Sequence, residues 1–183
     1  MENIPSKPVL KLCIVGPEST GKSTLALRLA AHFKTVCTQE AAKDMIAAKN
    51  GQVDYEDMTR FAHAQVAVEE DLMTKANRIL VCDTDPLTTQ LWSEVIFGQC
   101  PPDVATLAAA RSASYDHTIV TDIDVPWVDD VHRIDPHGRE DFMKRCVAAL
   151  NAHHRPFTIV SGDWEQRFQS SCIIMEKMLL KPK

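Results

Sequence analysis

The chain has 183 residues, 45% of them hydrophobic and 25% charged, the balance of an ordinary globular protein, which excludes disordered and fibrous classes. Twenty-five acidic against twenty basic residues give a net charge of −5, which argues against non-specific binding to nucleic acid or an anionic lipid surface. No apolar run is long enough to span a membrane, and residues 1–8 lack the basic head and apolar block of a secretory signal, so a cytoplasmic chain is expected. The six cysteines form no Cys-x-x-Cys pair; Cys13, Cys37 and Cys82 lie in short apolar runs and read as reduced core residues.

Short apolar runs alternate with longer helical ones. Val9 to Val15 is a strand candidate broken only by Lys11, and it ends in Gly16-Pro17. From Lys22 the residues Leu25, Leu29 and Phe33 recur every four positions, so a helix is expected over 22–33. Thr35 to Thr38 is a brief β-branched run, the second strand candidate. Asp54 can cap a long helix whose inner face is Met58, Phe61, Gln65, Val68 and Leu72. Arg78 to Cys82 is the third strand candidate, followed by a helix from Pro86 to about Phe97. Pro101-Pro102-Asp103 introduces an Ala-rich helix to about Ser112. His117–Thr121 and Phe157–Val160 complete the strands, with a helix through Phe142, Cys146 and Leu150 between them. Trp164, Phe168, Cys172, Met175 and Leu179 mark a last helix. Uninterrupted apolar strands alternating with helices predict a mainly parallel, five-stranded sheet covered on both faces. A single three-layer α/β/α domain over 1–183 is expected, with a small lid at about 125–139.

Gly16-Pro17-Glu18-Ser19-Thr20-Gly21-Lys22-Ser23 is a complete Gly-x-x-x-x-Gly-Lys-Ser. It joins an apolar strand to an amphipathic helix, as a phosphate loop must. Its backbone N–H groups and the helix N-terminus can cradle phosphates. Gly16, Glu18, Ser19, Thr20, Gly21, Lys22, Ser23 and Thr24 are the expected nucleotide contacts. Lys22 would reach the β- and γ-phosphates and Ser23 would hold Mg²⁺. ATP and Mg²⁺ are therefore the expected cofactors.

No Asn-Lys-x-Asp guanine-reading sequence occurs, and Asp83 is followed by Thr84 and not by the glutamate common in motor ATPases. A phosphoryl-transfer kinase remains. Glu40, just past the second strand candidate, can orient an attacking hydroxyl. Asp83 and Asp85, at the end of the third, suit a magnesium ion or ribose hydroxyls. Arg133 and Arg139 lie where a lid would close over the transferring phosphoryl group. Gln65 is the one polar residue on an apolar stripe, which points to ligand contact or to a buried backbone partner.

The loop string, then Asp83-Thr84-Asp85 with Thr88-Thr89-Gln90, then Tyr115-Asp116 with Trp127-Val128-Asp129-Asp130 and Arg133, resembles the ribosylnicotinamide kinase domain of the NadR family. The resemblance runs from about Leu10 to Ser170. It implies a P-loop kinase fold, ATP·Mg²⁺ as donor and a ribosyl hydroxyl as acceptor, with nicotinamide riboside or a similar nucleoside as substrate. With it, Lys22, Glu40, Asp83 and Arg133 are the expected catalytic residues, Arg139 a nucleotide contact, Ser23 and Asp83 the metal ligands, and Glu40, Gln65, Asp85 and Trp92 the substrate contacts; the resemblance itself bears on Asp83, Asp85, Arg133 and Gln65. The family carries aromatics on either side of its glutamate; this chain has Gln39-Glu40-Ala41. Trp92 or Phe97 is expected to supply the aromatic face instead. Two other readings share the loop: a regulatory ATPase acting on a protein partner, and a polynucleotide end kinase, which the acidic balance disfavours.

Overall fold

A computed structural model describes residues 8–128 and 138–180. Its sheet is built from β1 (Leu10–Val15), β2 (Ile79–Asp83), β3 (His117–Thr121) and β4 (Phe157–Val160). All pairings are parallel, in the order β2-β1-β3-β4. The helices of the described residues are α1 (Lys22–His32), α2 (Ala42–Ala48), α3 (Asp57–Met73), α4 (Pro86–Phe97), α5 (Pro102–Ser112), α6 (Arg139–Ala152) and α7 (Trp164–Leu180). None is long and apolar enough to cross a membrane.

β1 is the centre of the sheet, and the two-residue period of a strand sends its side chains alternately to two cores. Leu12 and Ile14 pack with Leu25 and Leu29 of α1 and with Phe168 and Met175 of α7. Cys13 and Val15 pack on the opposite face with Leu87 of α4, Ala108 of α5 and Leu150 of α6. Burial on both faces is why these strands read as unbroken apolar runs. Three layers result.

Lys11 lies within β1 and does not interrupt it. Its ammonium donates to Glu69 Oε2 of α3 at 2.9 Å, and the Tyr115 hydroxyl donates to Glu69 Oε1 at 2.8 Å. Glu69 is fully buried, so the pair satisfies a charge that would otherwise be very costly in the core.

The sequence predicts five strands; the described residues form four. The Thr35–Thr38 run makes one isolated bridge, Cys37 to Val81, at the outer edge of β2. Side chains replace backbone at both its ends: Thr35 Oγ1 donates to Ile79 O at 2.6 Å, and Thr38 Oγ1 accepts from Asp83 N at 2.9 Å. The ladder therefore closes after one bridge. The helix expected after Asp54 starts at Asp57, whose carboxylate accepts the Asp54 N–H at 2.9 Å. α2, which the sequence did not predict, is a single short amphipathic stretch; its Ala42, Met45 and Ile46 lean on Met58 and Phe61 of α3.

Strand order reverses around β1, with β2 on one side and β3 on the other. Ligands of open parallel sheets bind at the carboxyl ends of strands around such a switch. Val15, Asp83 and Thr121 end their strands there.

Candidate active site

The loop from Gly16 to Ser23 owes its course to two glycines. Gly16 has φ 141°, and a Cβ there would stand 2.5 Å from Thr121 Oγ1; Gly21 has φ 79°, and a Cβ would stand 2.5 Å from the Trp164 ring. Any larger residue would push the loop off β3 or off α7. The loop is also tied from beneath. The Thr20 and Thr121 hydroxyls are 2.6 Å apart, and Thr20 Oγ1 donates to Pro17 O at 2.7 Å. Arg167 of α7 is 2% exposed. It donates to Thr20 O at 3.2 Å and Gly162 O at 2.8 Å, and it pairs with Asp124. Sequence reasoning missed Arg167, because its helix was read only for its apolar positions.

Glu18 through Thr24 line a cavity of about 270 Å³ with Glu40 and Lys43. Lys22 donates to Pro17 O at 2.8 Å. Burial holds the Lys22 ammonium below its ordinary pKa, while the carboxylates of Glu40 and Asp83 oppose the shift. An ammonium so placed, half-desolvated and resting on a carbonyl, is primed for an anion. Asp83 closes β2 at 2% exposure. Burial raises its pKa, and a hydrogen bond from Ser23 opposes the rise. Its Oδ1 is buried with no partner among the described residues.

Ser23 and Asp83 therefore fit a divalent cation: a hydroxyl beside a buried carboxylate with one oxygen uncommitted. Among the described residues no three His, Cys, Asp or Glu side chains form a metal cluster. A magnesium ion here would take its remaining ligands from phosphate and water, as this ion commonly does.

A second, mostly apolar cavity of about 100 Å³ adjoins the first. Met58 and Phe61 of α3, Ile46 of α2, and Trp92 and Ile96 of α4 form its walls. The two cavities share Glu18, Glu40, Ile46, Thr84 and Trp92. Glu40 thus stands where a phosphate in one cavity would meet a hydroxyl in the other. Thr84 sits beside it at φ 66°, a strained conformation for a β-branched residue. Its N–H donates to Ile14 O at 3.0 Å. Nothing in the sequence signals that strain.

The other expected residues divide. Trp92 lines both cavities, one face stacked on Phe142 at 4.2 Å between centroids. Phe97 instead packs edge-on against Tyr55. Phe61 is the second aromatic wall, read from sequence only as a core residue. Gln65 borders the apolar cavity, but its amide is satisfied internally: it accepts from Ala41 N at 3.2 Å and donates to Thr38 Oγ1, Asp83 O and Thr84 O at 3.2–3.4 Å. It holds the Asp83-Thr84 turn in place.

Asp85, expected to touch substrate, borders neither cavity. Its carboxylate caps α4, accepting from Thr88 N at 2.9 Å and Thr88 Oγ1 at 2.8 Å, and pairs with the buried Arg155 guanidinium. Both oxygens are committed. Arg139, expected at the nucleotide, begins α6 and donates to Val125 O at 3.0 Å and Ile123 O at 3.4 Å. It fastens the segment after β3 and does not border the loop cavity. Arg133 and most of the expected lid lie outside the described residues. Where that segment begins, Val128 N donates to Ser19 Oγ of the loop at 2.8 Å.

Residues 11–167 match the AAA domain family AAA_28. The chain belongs to that AAA domain family. Within it, this AAA domain is 29% identical to the trifunctional NAD biosynthesis/regulator protein NadR of Escherichia coli K12, and equally to that of Salmonella typhimurium LT2. Each alignment covers 93% of this chain and 43% of the relative, so the chain spans less than half the length of these curated relatives. Among solved structures, the AAA domain is similar to NadR protein in complex with NAD and AMP-PNP (TM-score 0.74, 19% identity, 96% of this chain and 51% of that one). It is also similar to thymidylate kinase from Ehrlichia chaffeensis (TM-score 0.63, 12% identity, 91% of this chain and 98% of that one). The fold is that of P-loop kinases.

Proposed function

We propose that this AAA domain is an ATP-dependent kinase that transfers the γ-phosphoryl group to a ribosyl hydroxyl of a nucleoside-like acceptor, of which nicotinamide riboside is the best-supported candidate. The observation that carries the reading is the meeting of two cavities at Glu40, one lined by the phosphate loop and one apolar. Phosphoryl transfer asks the protein chiefly for positioning and charge stabilisation. The loop N–H groups and Lys22 would hold the β- and γ-phosphates. Ser23 and Asp83 would hold magnesium, which when bound neutralises charge on those phosphates. The Glu40 carboxylate would accept a hydrogen bond from the acceptor hydroxyl and take its proton as that oxygen bonds to the γ-phosphorus and the bond from the γ-phosphorus to the β–γ bridging oxygen breaks, ADP leaving.

The acceptor cavity has its own chemistry. Glu18 and Glu40 border it, Phe61 and Trp92 wall it, and no Lys, Arg or His is among its described lining residues. Carboxylates and aromatic faces without a competing cation suit a flat, positively charged ring. The similarity to NadR, one structure of which is described as a complex with NR, supports the same acceptor.

The test compares kcat/KM for nicotinamide riboside with that for uncharged nucleosides, product mass identifying the ester. A preference of at least about fivefold for the cation, equivalent to ~1 kcal/mol at the upper end of an exposed cation–π contact, is expected. Equal values for charged and neutral acceptors would remove the pyridinium reading while leaving a nucleoside kinase.

A further inference from the structure

Lys43, on the first turn of α2, has no part in the transfer just described, yet its ammonium sits on the hydroxyl proposed to hold magnesium. Its ammonium donates to Ser23 Oγ at 2.7 Å and pairs with Glu40 Oε2 at 3.3 Å. One cation thus serves both the hydroxyl expected to hold a divalent ion and the carboxylate beside it. The Asp83 Oδ1 atom, buried with no partner among the described residues, marks the part of the site that a single ammonium does not fill. A hydroxyl oxygen engaged by an ammonium cannot also hold a divalent ion, because the two cations would lie within a few ångströms in a partly desolvated cleft.

We propose that Lys43 is a stand-in cation for the metal. It balances Glu40 while the metal is away, lends positive charge to an incoming polyphosphate, and must leave Ser23 when magnesium takes the hydroxyl. This rests on the phosphate-loop reading above. It makes Lys43 and the metal competitors for one position, so the chain binds nucleotide with less dependence on metal than its loop alone would give.

The experiment measures, by calorimetry, the Kd of the non-hydrolysable analogue AMP-PNP with excess Mg²⁺ and with excess EDTA. The ratio of the two Kd values reports the metal's contribution without any turnover. Lys43→Met is expected to raise that ratio by about tenfold over the unsubstituted chain, an ordinary size for coupling between two ligands. Lys43→Gln is expected to do the same, and Lys43→Arg to stay within about threefold of the starting value, since it keeps the charge. The side chain is 42% exposed, so these variants should fold, and a melting curve of each confirms it. A ratio unchanged in both Lys43→Met and Lys43→Gln would overturn the proposal and leave Lys43 as a support for α2. Failure of the unsubstituted chain to bind AMP-PNP under either condition would overturn the phosphate-loop reading, and this proposal with it.

Discussion

A phosphate-loop lysine is an uneasy residue until a phosphate arrives. Lys22 is held below its ordinary pKa by burial. The folded chain therefore gives up this proton more readily than the unfolded one. The stability linked to the group is complete only above the unfolded value of 10.5 and is lost as pH falls through the lowered folded value. At neutral pH the ammonium weighs against the fold. Lys22→Met is thus expected to raise the Tm of the ligand-free chain by about 2–4 °C, equivalent to ~1 kcal/mol, while abolishing the rise in Tm that ATP·Mg²⁺ gives the unsubstituted chain. Thermal melts at pH 7 check both halves. A lower Tm without ligand would mean that the Pro17 contact outweighs the desolvation. The place of Lys22 in the loop was legible because eight consecutive residues spell that loop. Phe61 and Thr84 were not, because a cavity wall and a core position share one helical period, and a positive φ at threonine leaves no trace in sequence.

At the scale of elements, the site stands on buried charge. Asp85 joins the α4 cap to Arg155, the residue two before β4, and Arg155 donates to Thr118 Oγ1 of β3 at 2.8 Å. The Arg155 guanidinium also lies 4.3 Å from the Tyr115 ring centroid, and Tyr115 reaches Glu69 and through it Lys11. This chain of contacts sets where α3 and α4 hold the walls of the apolar cavity. Burial raises the Glu69 pKa, with Lys11 opposing it, so Glu69 is retained by its partners and not by solvent. Lys11→Met or Glu69→Gln alone leaves a buried group unpaired and is expected to cost about 3–5 kcal/mol in urea unfolding. The double variant should cost less than the sum of the two by at least about 0.5 kcal/mol, the signature of coupled neighbours. Strictly additive losses would mean that the two side chains do not act as a pair. In the sequence Lys11 looked like an interruption and Asp85 like a ligand. Pairing at a separation of 58 or 70 residues is beyond any local pattern. The edge run Thr35–Thr38 misled for a related reason: its composition favours a strand, but its threonine side chains take the hydrogen bonds that a ladder needs.

For the molecule as a whole, sheet order, loop and cavities converge on one edge. The fold class was legible because parallel strands buried on both faces read as plain apolar runs, and the donor half of the site because its loop is contiguous. The apolar cavity was only partly legible, since Ile46, Met58, Phe61 and Trp92 come from three helices and meet only in three dimensions. Glu40 stands between the cavity lined by the loop and the apolar one. The most direct measurement is the ratio of phosphorylated acceptor to ADP formed from ATP·Mg²⁺ and nicotinamide riboside, followed by mass spectrometry for the unsubstituted chain and for Glu40→Gln. One ester per ADP is expected for the unsubstituted chain. Its rate should fall by about 10²–10⁴ in Glu40→Gln, the ordinary worth of a general base. ADP released without an ester from nicotinamide riboside or any other nucleoside would contradict the account and make the chain a hydrolase.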